Sequence, residues 1–338
     1  MNLWYEIRPV EVDDLAALTK LLNQCLVYDR ESITEEYVRF RIFEDPNFDP
    51  ALNLVALHPG GELVSFVSAT LVGKKDAAAA GITTALPVTS KQVDVARATE
   101  AAAGGRRAWL KVLATSEDYR KRGVASSLLK KILETLRPLG VKEIRFSDRG
   151  NWHFWPGLDI RYEDALELLE GFGFRREIVQ VDFLYNLDEF FYPRRVLRRK
   201  EELATRGIVV RRASFTDQAR IISWIRSGYE RAWAIETEFA FKKDIPSVVI
   251  AEERATGEIL GFATFDGVAR GRFGPTGVGE ANRKRGIGAV LLFEAFRSMK
   301  DEGIPRAVVH WTDLLFFYSQ VPGLCGIRQY WILVLRDF

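Results

Sequence analysis

Apolar residues recur along this chain at two spacings, which predict strands and helices in the same order in both halves. Short apolar runs predict strands at residues 4–8, 52–58, 63–72, 109–115, 141–146 and 174–187, and again at 208–212, 247–253, 259–266, 272–278 and 304–309. Apolar positions three or four residues apart predict helices at 12–26, 31–43 and 162–172, and a helix that begins after Ser214. The order strand, helical segment and hairpin therefore occurs twice.

One six-residue segment is also repeated, each time between a strand pattern and a helix pattern. Arg-Lys-Arg-Gly-Val-Ala at 120–125 returns as Arg-Lys-Arg-Gly-Ile-Gly at 283–288. The first arginine and a later glycine, Gly140 or Gly303, are equally far apart in both copies, and such a glycine ends a helix well. Between them, one apolar stripe runs along each predicted helix: Ala125, Leu129, Ile132 and Leu136 in the first copy, and Gly288, Leu292, Ala295 and Met299 in the second. The repeat indicates an internal duplication.

The start of each repeated helix is suited to an anion. Glycine lets a ligand approach the backbone closely, and the first N–H groups of a helix point outward at the positive end of its dipole. A diphosphate would receive several N–H groups there, with arginine nearby. Neither turn is followed by the Gly-Lys-Ser/Thr of a P-loop, and neither has the three-glycine spacing of a dinucleotide site.

The Arg-x-x-Gly-x-Gly/Ala pattern between a strand and an amphipathic helix resembles the acyl-CoA signature of the GNAT N-acetyltransferase superfamily. The resemblance covers both halves and implies two GNAT domains, each of α/β (α+β) class with a mixed, largely antiparallel central sheet flanked by helices. It further implies that acetyl-CoA is bound by the two turns and by the strand before each. The implied residues are Leu113, Ala114, Thr115, Arg120, Lys121, Arg122, Gly123, Val124 and Ala125, and Thr276, Gly277, Val278, Arg283, Lys284, Arg285, Gly286, Ile287 and Gly288.

The length of 338 residues suits two domains rather than one core. We expect an N-terminal domain at 1–187 with an insertion at 74–107, a connector at 188–207 and a C-terminal domain at 208–338. The insertion is rich in alanine, glycine and threonine, and is interpreted either as a tolerated surface segment or as a substrate lid. The aromatic segment 151–159 is interpreted either as an acceptor loop or as a packing surface for the neighbouring domain.

Composition narrows the class of protein. An apolar content of 47% with 28% charged residues is typical of a soluble globular protein, and a net charge of +2 argues against a nucleic-acid partner. No signal-peptide pattern or bilayer-spanning apolar run is present, so we expect a cytosolic protein without a membrane partner. Cys25 and Cys325 are expected to be free thiols, and the histidines His58, His153 and His310 lack metal-ligand spacing, so no metal is expected.

The resemblance also implies chemistry. An amine attacks the thioester directly, a backbone N–H near Val278 stabilises the oxyanion, and an acid protonates the departing thiolate. Tyr318 resembles the family's tyrosine acid, whereas Leu169 occupies the corresponding place in the first half. We therefore expect a catalytic C-terminal domain and an N-terminal domain that binds CoA or is structural. The acceptor is expected to be a primary amine of a small molecule or a peptide, and the oligomeric state is not predicted.

Several alternatives stay open at the level of sequence. The N-terminal domain has an equally complete turn, so it is the alternative catalytic domain. A CoA-binding sensor or scaffold without turnover is a second alternative, and nucleic-acid binding through the basic connector is a third. The general base is not identified, because the candidate carboxylates are also typical of ordinary surface ion pairs: Glu230, Glu236, Glu238, Asp266 and Asp313.

Overall fold

The computed structural model describes residues 4–28, 33–72, 106–147, 154–229, 231–267, 269–336 and 338. Among these, the first of two compact units contains the residues up to 180 together with those of Tyr330–Phe338, and the second contains those of Val181–Gln329. A compact unit is not the same as an independently folding domain. The domain limits 1–187, 188–207 and 208–338 therefore stay a prediction. The predicted insertion lies outside the described residues except for Arg106 and Arg107.

The first unit has a central sheet with helices on both faces. Its strands follow the order β1-β2-β3-β4-β5, antiparallel except for the parallel pair β4 and β5. The strands are β1 (Glu6–Pro9), β2 (Asn53–Leu57), β3 (Leu63–Val72), β4 (Arg106–Thr115), β5 (Val141–Phe146) and the short β6 (Leu158–Asp159). The helices are α1 (Leu15–Cys25), α2 (Glu35–Ile42), α3 (Val124–Leu136) and α4 (Glu163–Gly171). The fold class expected from the sequence is confirmed.

Two apolar clusters hold this sheet between its helices. One cluster contains buried residues of α1 and α2, and the other contains those of α3 and α4. On α3, the predicted stripe is buried at Leu129, Ile132 and Leu136. The final turn after α3 ends at Gly140, whose φ of 71° is the left-handed conformation expected of a glycine cap. The α3 stripe and its glycine stop are therefore confirmed.

The second unit repeats this plan. Its strands are β8 (Ile208–Arg212), β9 (Val248–Glu253), β10 (Ile259–Phe265), β11 (Arg272–Val278) and β12 (Arg306–Thr312). Its helices are α5 (Arg194–Thr205), α6 (Gln218–Gly228), α7 (Arg231–Ala240), α8 (Ile287–Asp301) and the short α9 (Leu315–Tyr318). The strands follow the order β8-β9-β10-β11-β12, and only β11 and β12 are parallel. Leu292, Ala295 and Met299 of α8 are fully buried, as the repeat predicts.

Two long strands, β7 (Arg175–Asn186) and β13 (Leu324–Arg336), are each divided between the units. In the first unit, the end of β13 pairs antiparallel with β5, where Val334 lies opposite Arg145, and Tyr330 pairs with Asp159 of β6. In the second unit, β7 pairs antiparallel with β12, where Phe183 lies opposite Val309. The last strand of the sequence therefore completes the sheet of the first unit.

In each unit, the two parallel strands pair at one end and then separate. β4 pairs with β5 from Arg106 to Leu110, then continues to Thr115 paired with β3. The register shift opposite Ser68 and Ala69 leaves Lys111 as an extra residue, a β-bulge. β11 shows a similar shift between Phe273 and Thr276, which is a β-bulge at Gly274 and Pro275. The strand prediction 109–115 was too short, because β4 begins at Arg106.

Candidate active site

The two Arg-Gly turns have the same backbone conformation. Lys121 and Lys284 have φ values of 57° and 62°, and the glycines that cap α3 and α8 have values of 82° and 87°. The first arginine of each turn folds back onto the preceding strand. Arg120 Nε donates to the Thr115 carbonyl at 3.1 Å, and Arg283 Nε donates to the Val278 carbonyl at 3.3 Å. The duplication seen in the sequence therefore extends to the geometry of the turns.

The first turn opens into a cavity of about 990 Å³ that lies within the first unit. The separated end of β4 also lines this cavity, as do α1 and the start of α4. A Cβ placed on Gly123 would meet nothing within 4 Å, so the helix start can be approached by a ligand. Of the residues predicted for the first site, those that line the cavity are Leu113, Ala114, Thr115, Arg120, Lys121, Gly123, Val124 and Ala125. Arg122 instead lies over the ring of Tyr119, 5.9 Å from its centroid.

The corresponding places in the second unit are covered by side chains of that unit. The alkyl part of Arg199, on α5, lies 2.5 Å from the position that a Cβ on Gly286 would take. The ring of Tyr229 lies 2.6 Å from the Cβ position of Gly277, on β11. Tyr229 is in turn stacked on Trp233, with ring centroids 5.1 Å apart. A ligand at the second turn would therefore meet Arg199, whereas the first turn is open.

Tyr318, the acid predicted from the sequence, lies in the core of the second unit. Its side chain is 6% exposed and contacts the rings of Phe183, Phe273 and Phe317. Its backbone carbonyl accepts a hydrogen bond from the hydroxyl of Tyr185 at 2.8 Å. Burial raises the pKa of Tyr318 well above its usual range, and the charge of Asp313 adds to this. The hydroxyl therefore keeps its proton at neutral pH.

In the first unit, Leu169 is fully buried in the apolar cluster beneath α4. The tyrosine that α4 brings to the cavity is Tyr162, which is the residue immediately before the helix. Tyr162 lies at the beginning of the helix predicted at 162–172, and no role was predicted for it. Its only signal in the sequence is that position, three residues after the end of the aromatic segment 151–159.

The aromatic segment contributes to both the core and the cavity of the first unit. Phe154 is buried, contacts the ring of Tyr37 and accepts a hydrogen bond from the Tyr37 hydroxyl through its carbonyl. Trp155 lines the cavity. Residues 151–153 of this segment, including His153, lie outside the described residues.

Three of the carboxylates considered as bases take part in ion pairs of the second unit. Glu236 lies 3.6 Å from Arg272, Glu238 lies 2.6 Å from Arg226, and Asp266 pairs with Lys243. Glu230 lies outside the described residues. The geometry of these three carboxylates is that of structural ion pairs.

Cys25 and Cys325 are free thiols, as predicted. Cys25 lines the cavity, where burial raises the pKa of its thiol and the nearby Arg120 partly opposes this shift. A thiol in this state is a weak nucleophile. Within the described ranges, no group of three or more histidine, cysteine, aspartate or glutamate side chains could hold a metal ion. None of the helices in the part of the chain that the structure describes is long and apolar enough to cross a membrane.

Comparison with solved structures gives the same architecture over almost the whole chain. A GCN5-related glucosamine N-acetyltransferase region of a fungal multi-domain GH3 β-N-acetylglucosaminidase matches 98% of this chain, with a TM-score of 0.71 and 18% identity. This chain spans 38% of the length of that fungal protein. A GCN5-related N-acetyltransferase from Sphaerobacter thermophilus matches 98% of this chain and 95% of its own, with a TM-score of 0.63 and 16% identity.

A tandem GNAT protein from the clavulanic acid biosynthesis pathway matches 98% of both chains, with a TM-score of 0.56 and 12% identity. At these identities the matches show the fold. No curated protein sequence matches the chain. The sequence model of the acetyltransferase (GNAT) family matches residues 15–156, which include the first Arg-Gly turn. Residues 15–156 therefore match the acetyltransferase (GNAT) family, and almost the whole chain has the fold of solved GNAT proteins, including a tandem one.

Proposed function

We propose that this protein transfers an acetyl or related acyl group from acyl-CoA to a primary amine, and that the reaction takes place in the cavity of the first unit. The observation that carries this proposal is the continuity of that cavity, which joins the open turn at Gly123 to the separated end of β4. The turn at Gly123 is suited to a diphosphate, and the separated end of β4 offers backbone groups that no longer pair with β5. Acyl-CoA carries its diphosphate and its thioester at opposite ends of one arm, so it suits both places.

In this proposal the protein positions the acyl-CoA and stabilises the negative charge that develops during transfer. Arg120 and the first N–H groups of α3 bind the diphosphate, and an N–H near Thr115 stabilises the oxyanion that develops on the thioester carbonyl. The amine attacks that carbonyl directly. A direct attack agrees with the state of Cys25, whose thiol is protonated and poorly nucleophilic.

The acceptor is proposed to be the primary amine of a small molecule or a peptide. The fungal region with the same fold is described as a glucosamine N-acetyltransferase, so glucosamine is the first acceptor to test. Trp155, Tyr28 and Tyr162 line the cavity, and aromatic side chains are typical walls for organic ligands of this size.

The reverse assignment, with catalysis in the second unit by Tyr318, is the second candidate. The similar backbone φ values of the two turns and the protonated hydroxyl of Tyr318 favour this assignment. The positions of Arg199 and Tyr229 oppose it, because they cover the turn and the strand that a CoA arm would use.

A matched pair of variants tests the proposal. Arg120→Gln and Arg283→Gln remove the same charge and the same strand contact, one in each unit. We expect Arg120→Gln to raise the KM for acetyl-CoA about tenfold, since a hydrogen bond to a charged group is worth about 1.5 kcal/mol or more. Arg283→Gln should change it less than about threefold. The measurement is CoA release with glucosamine and a panel of other amines.

A larger effect of Arg283→Gln than of Arg120→Gln would move the reaction to the second unit. Binding of acetyl-CoA by calorimetry without release of CoA in the presence of any amine would support the non-catalytic alternative.

A further inference from the structure

The first unit has no tyrosine at the place on α4 where the family resemblance expects the acid. Leu169 occupies that place, is fully buried and carries no proton to donate. Among the described residues, three tyrosines line the cavity: Tyr28 after α1, Tyr119 in the turn before Arg120, and Tyr162 at the start of α4. They differ in what their hydroxyl groups contact.

Tyr162 bridges the two sides of the cavity. It belongs to the start of α4, and its hydroxyl oxygen accepts the backbone N–H of Tyr28 at 3.3 Å. The two rings are also in contact, with centroids 5.1 Å apart. A hydroxyl that accepts an N–H bond becomes a better acid, because the same N–H stabilises the phenolate left after the proton has gone.

The position of Tyr28 is itself fixed from the other side. The guanidinium of Arg161 lies 3.8 Å from the centre of the Tyr28 ring, a cation–π contact. Arg161 is held by two hydrogen bonds to Asp159, at 2.8 and 2.6 Å. Asp159 is only 3% exposed and lies in β6, which pairs with β13. A buried carboxylate in the sheet thus orients Arg161, which orients Tyr28, which contacts Tyr162.

Tyr119 has a different environment. Its ring is stacked on Trp4, with centroids 5.4 Å apart, and its hydroxyl points to Glu62 at 3.5 Å. Partial desolvation, together with the neighbouring Glu62 carboxylate, raises the pKa of Tyr119, which makes it a weaker acid. Tyr119 therefore suits the wall of the diphosphate turn.

We propose that Tyr162 is the catalytic acid of the first unit and that Arg161 and Tyr28 are its positioning residues. This inference rests on the proposed acyl transfer in the same cavity. The amine nitrogen forms a bond to the thioester carbon, and the C–S bond then breaks with its electron pair on sulfur. The Tyr162 hydroxyl gives its proton to that sulfur, and the phenolate recovers a proton from solvent, which has taken the one lost by the amine. The net change is transfer of one proton from amine to thiol.

The test compares two acyl donors with leaving thiols of different acidity. Acetyl-CoA needs a proton on its alkyl thiolate, whereas an acetyl thioester of an aryl thiol loses a stable thiolate without help. We expect Tyr162→Phe to lower kcat with acetyl-CoA about 100-fold, with little change in the KM for acetyl-CoA. With the aryl donor the same variant should lose less than about threefold.

Tyr119→Phe and Tyr318→Phe are the matched controls, since each removes one hydroxyl from a different site. Neither should show a loss that depends on the leaving thiol. An equal loss of Tyr162→Phe with both donors would show that the hydroxyl is only structural and would overturn the inference. A leaving-thiol dependence in Tyr318→Phe alone would also overturn it and would place the acid in the second unit.

Arg161→Gln tests the positioning. It should reproduce part of the leaving-thiol dependence of Tyr162→Phe while the KM for acetyl-CoA stays unchanged.

Failure of the inference is distinct from failure of the proposed function. If only the inference fails, the unmodified protein transfers the acyl group, and Arg120→Gln but not Tyr162→Phe lowers this transfer. If the proposed function fails, the unmodified protein transfers no acyl group, or Arg120→Gln leaves the transfer unchanged.

Discussion

Lys111 and Asp45 form an ion pair that is almost completely buried beside the cavity. Their side chains are 2% and 1% exposed, and Lys111 Nζ lies 2.9 Å from Asp45 Oδ2. Lys111 also donates to the carbonyl of Arg41, near the end of α2. Because Lys111 is the bulged residue at which β4 leaves β5, this pair connects the bulge to the segment after α2. The pair therefore fixes the strand geometry that opens the cavity.

Breaking this pair from one side should destabilise the first unit. Asp45→Ala leaves the Lys111 ammonium buried, which typically costs about 3–5 kcal/mol. The double variant Lys111→Met with Asp45→Leu replaces both charges by apolar groups and should recover much of that loss. Urea denaturation followed by tryptophan fluorescence measures both. A loss below about 1 kcal/mol in Asp45→Ala would contradict the expected role of the pair.

Single residues also show why part of the site could not be read from the sequence. The glycines of both turns were found because their conformation is local and the repeat marks them. Lys111 and Asp45 are distant in the sequence, and nothing in their neighbours signals that they meet. Tyr162 was missed for a similar reason, because its partner Tyr28 lies far away in the sequence, after the end of α1.

At the level of elements, an arginine–aspartate pair in each unit connects a strand to the start of the helix that follows it. In the first unit, Arg8 donates two hydrogen bonds to Asp14, both at 2.7 Å. In the second, Arg211 donates to Asp217 at 2.7 and 3.0 Å. Asp217 also accepts the backbone N–H of Ser214, as part of a capping box in the short 3-10 turn before α6. The equal spacing of these pairs in the sequence is a further signal of the repeat.

The Arg211–Asp217 pair makes the stability of the second unit decrease at acidic pH. Hydrogen bonds from Arg211 hold the pKa of Asp217 well below its usual range, and the Ser214 and Arg220 donors add to this. A depressed folded-state pKa contributes stability above the unfolded value of about 4, and this stability is lost as the pH falls toward the folded value. Asp217→Asn should therefore weaken the second unit at pH 7 and flatten the decline of its stability below about pH 4.

Thermal denaturation between pH 7 and pH 3 checks this prediction. Asp14→Asn is the matched variant of the first unit, because Arg8 lowers the pKa of Asp14 in the same way. A variant whose acid-induced decline equals that of the unmodified protein would show that the arginine–aspartate pair does not control the pH dependence.

Regular elements were largely predictable because their signals are local. The stripes of α3 and α8, the hairpins and the short helix that contains Tyr318 all follow from periodicity and turn residues. The beginning of β4 was predicted too late, since its first residues, Arg106 and Arg107, are charged and follow the alanine-rich segment. Arg107 in fact pairs with Glu143 of β5 at 2.7 Å, so its charge is compatible with the sheet.

At the scale of the whole molecule, the order of elements in the sequence differs from their grouping in space. Residues Tyr330–Phe338 belong to the first unit, where Tyr330, Ile332 and Leu333 are fully buried. The strand pattern alone could not show this, because alternation identifies a strand but not its partner. The partner is decided by tertiary packing against β5 and β6.

Removal of residues 330–338 should therefore damage the first unit more than the second. The shortened chain loses a central strand of the first unit and leaves the edge of β5 unpaired, whereas β8 to β12 are unchanged. We expect loss of acetyl-CoA binding at the Gly123 turn and rapid proteolysis within residues 106–180. Limited proteolysis with mass spectrometry measures this. Equal resistance of both units in the shortened chain would contradict the assignment of this strand.

The placement of this strand also bears on how the protein is made. A ribosome that synthesises this chain exposes β8 to β12 and their helices before Tyr330–Arg336 emerges. The second unit can thus acquire its sheet while translation continues, whereas the first must wait with an open edge beside β5. During that interval the nascent first half is the part most in need of a chaperone, although it was synthesised first.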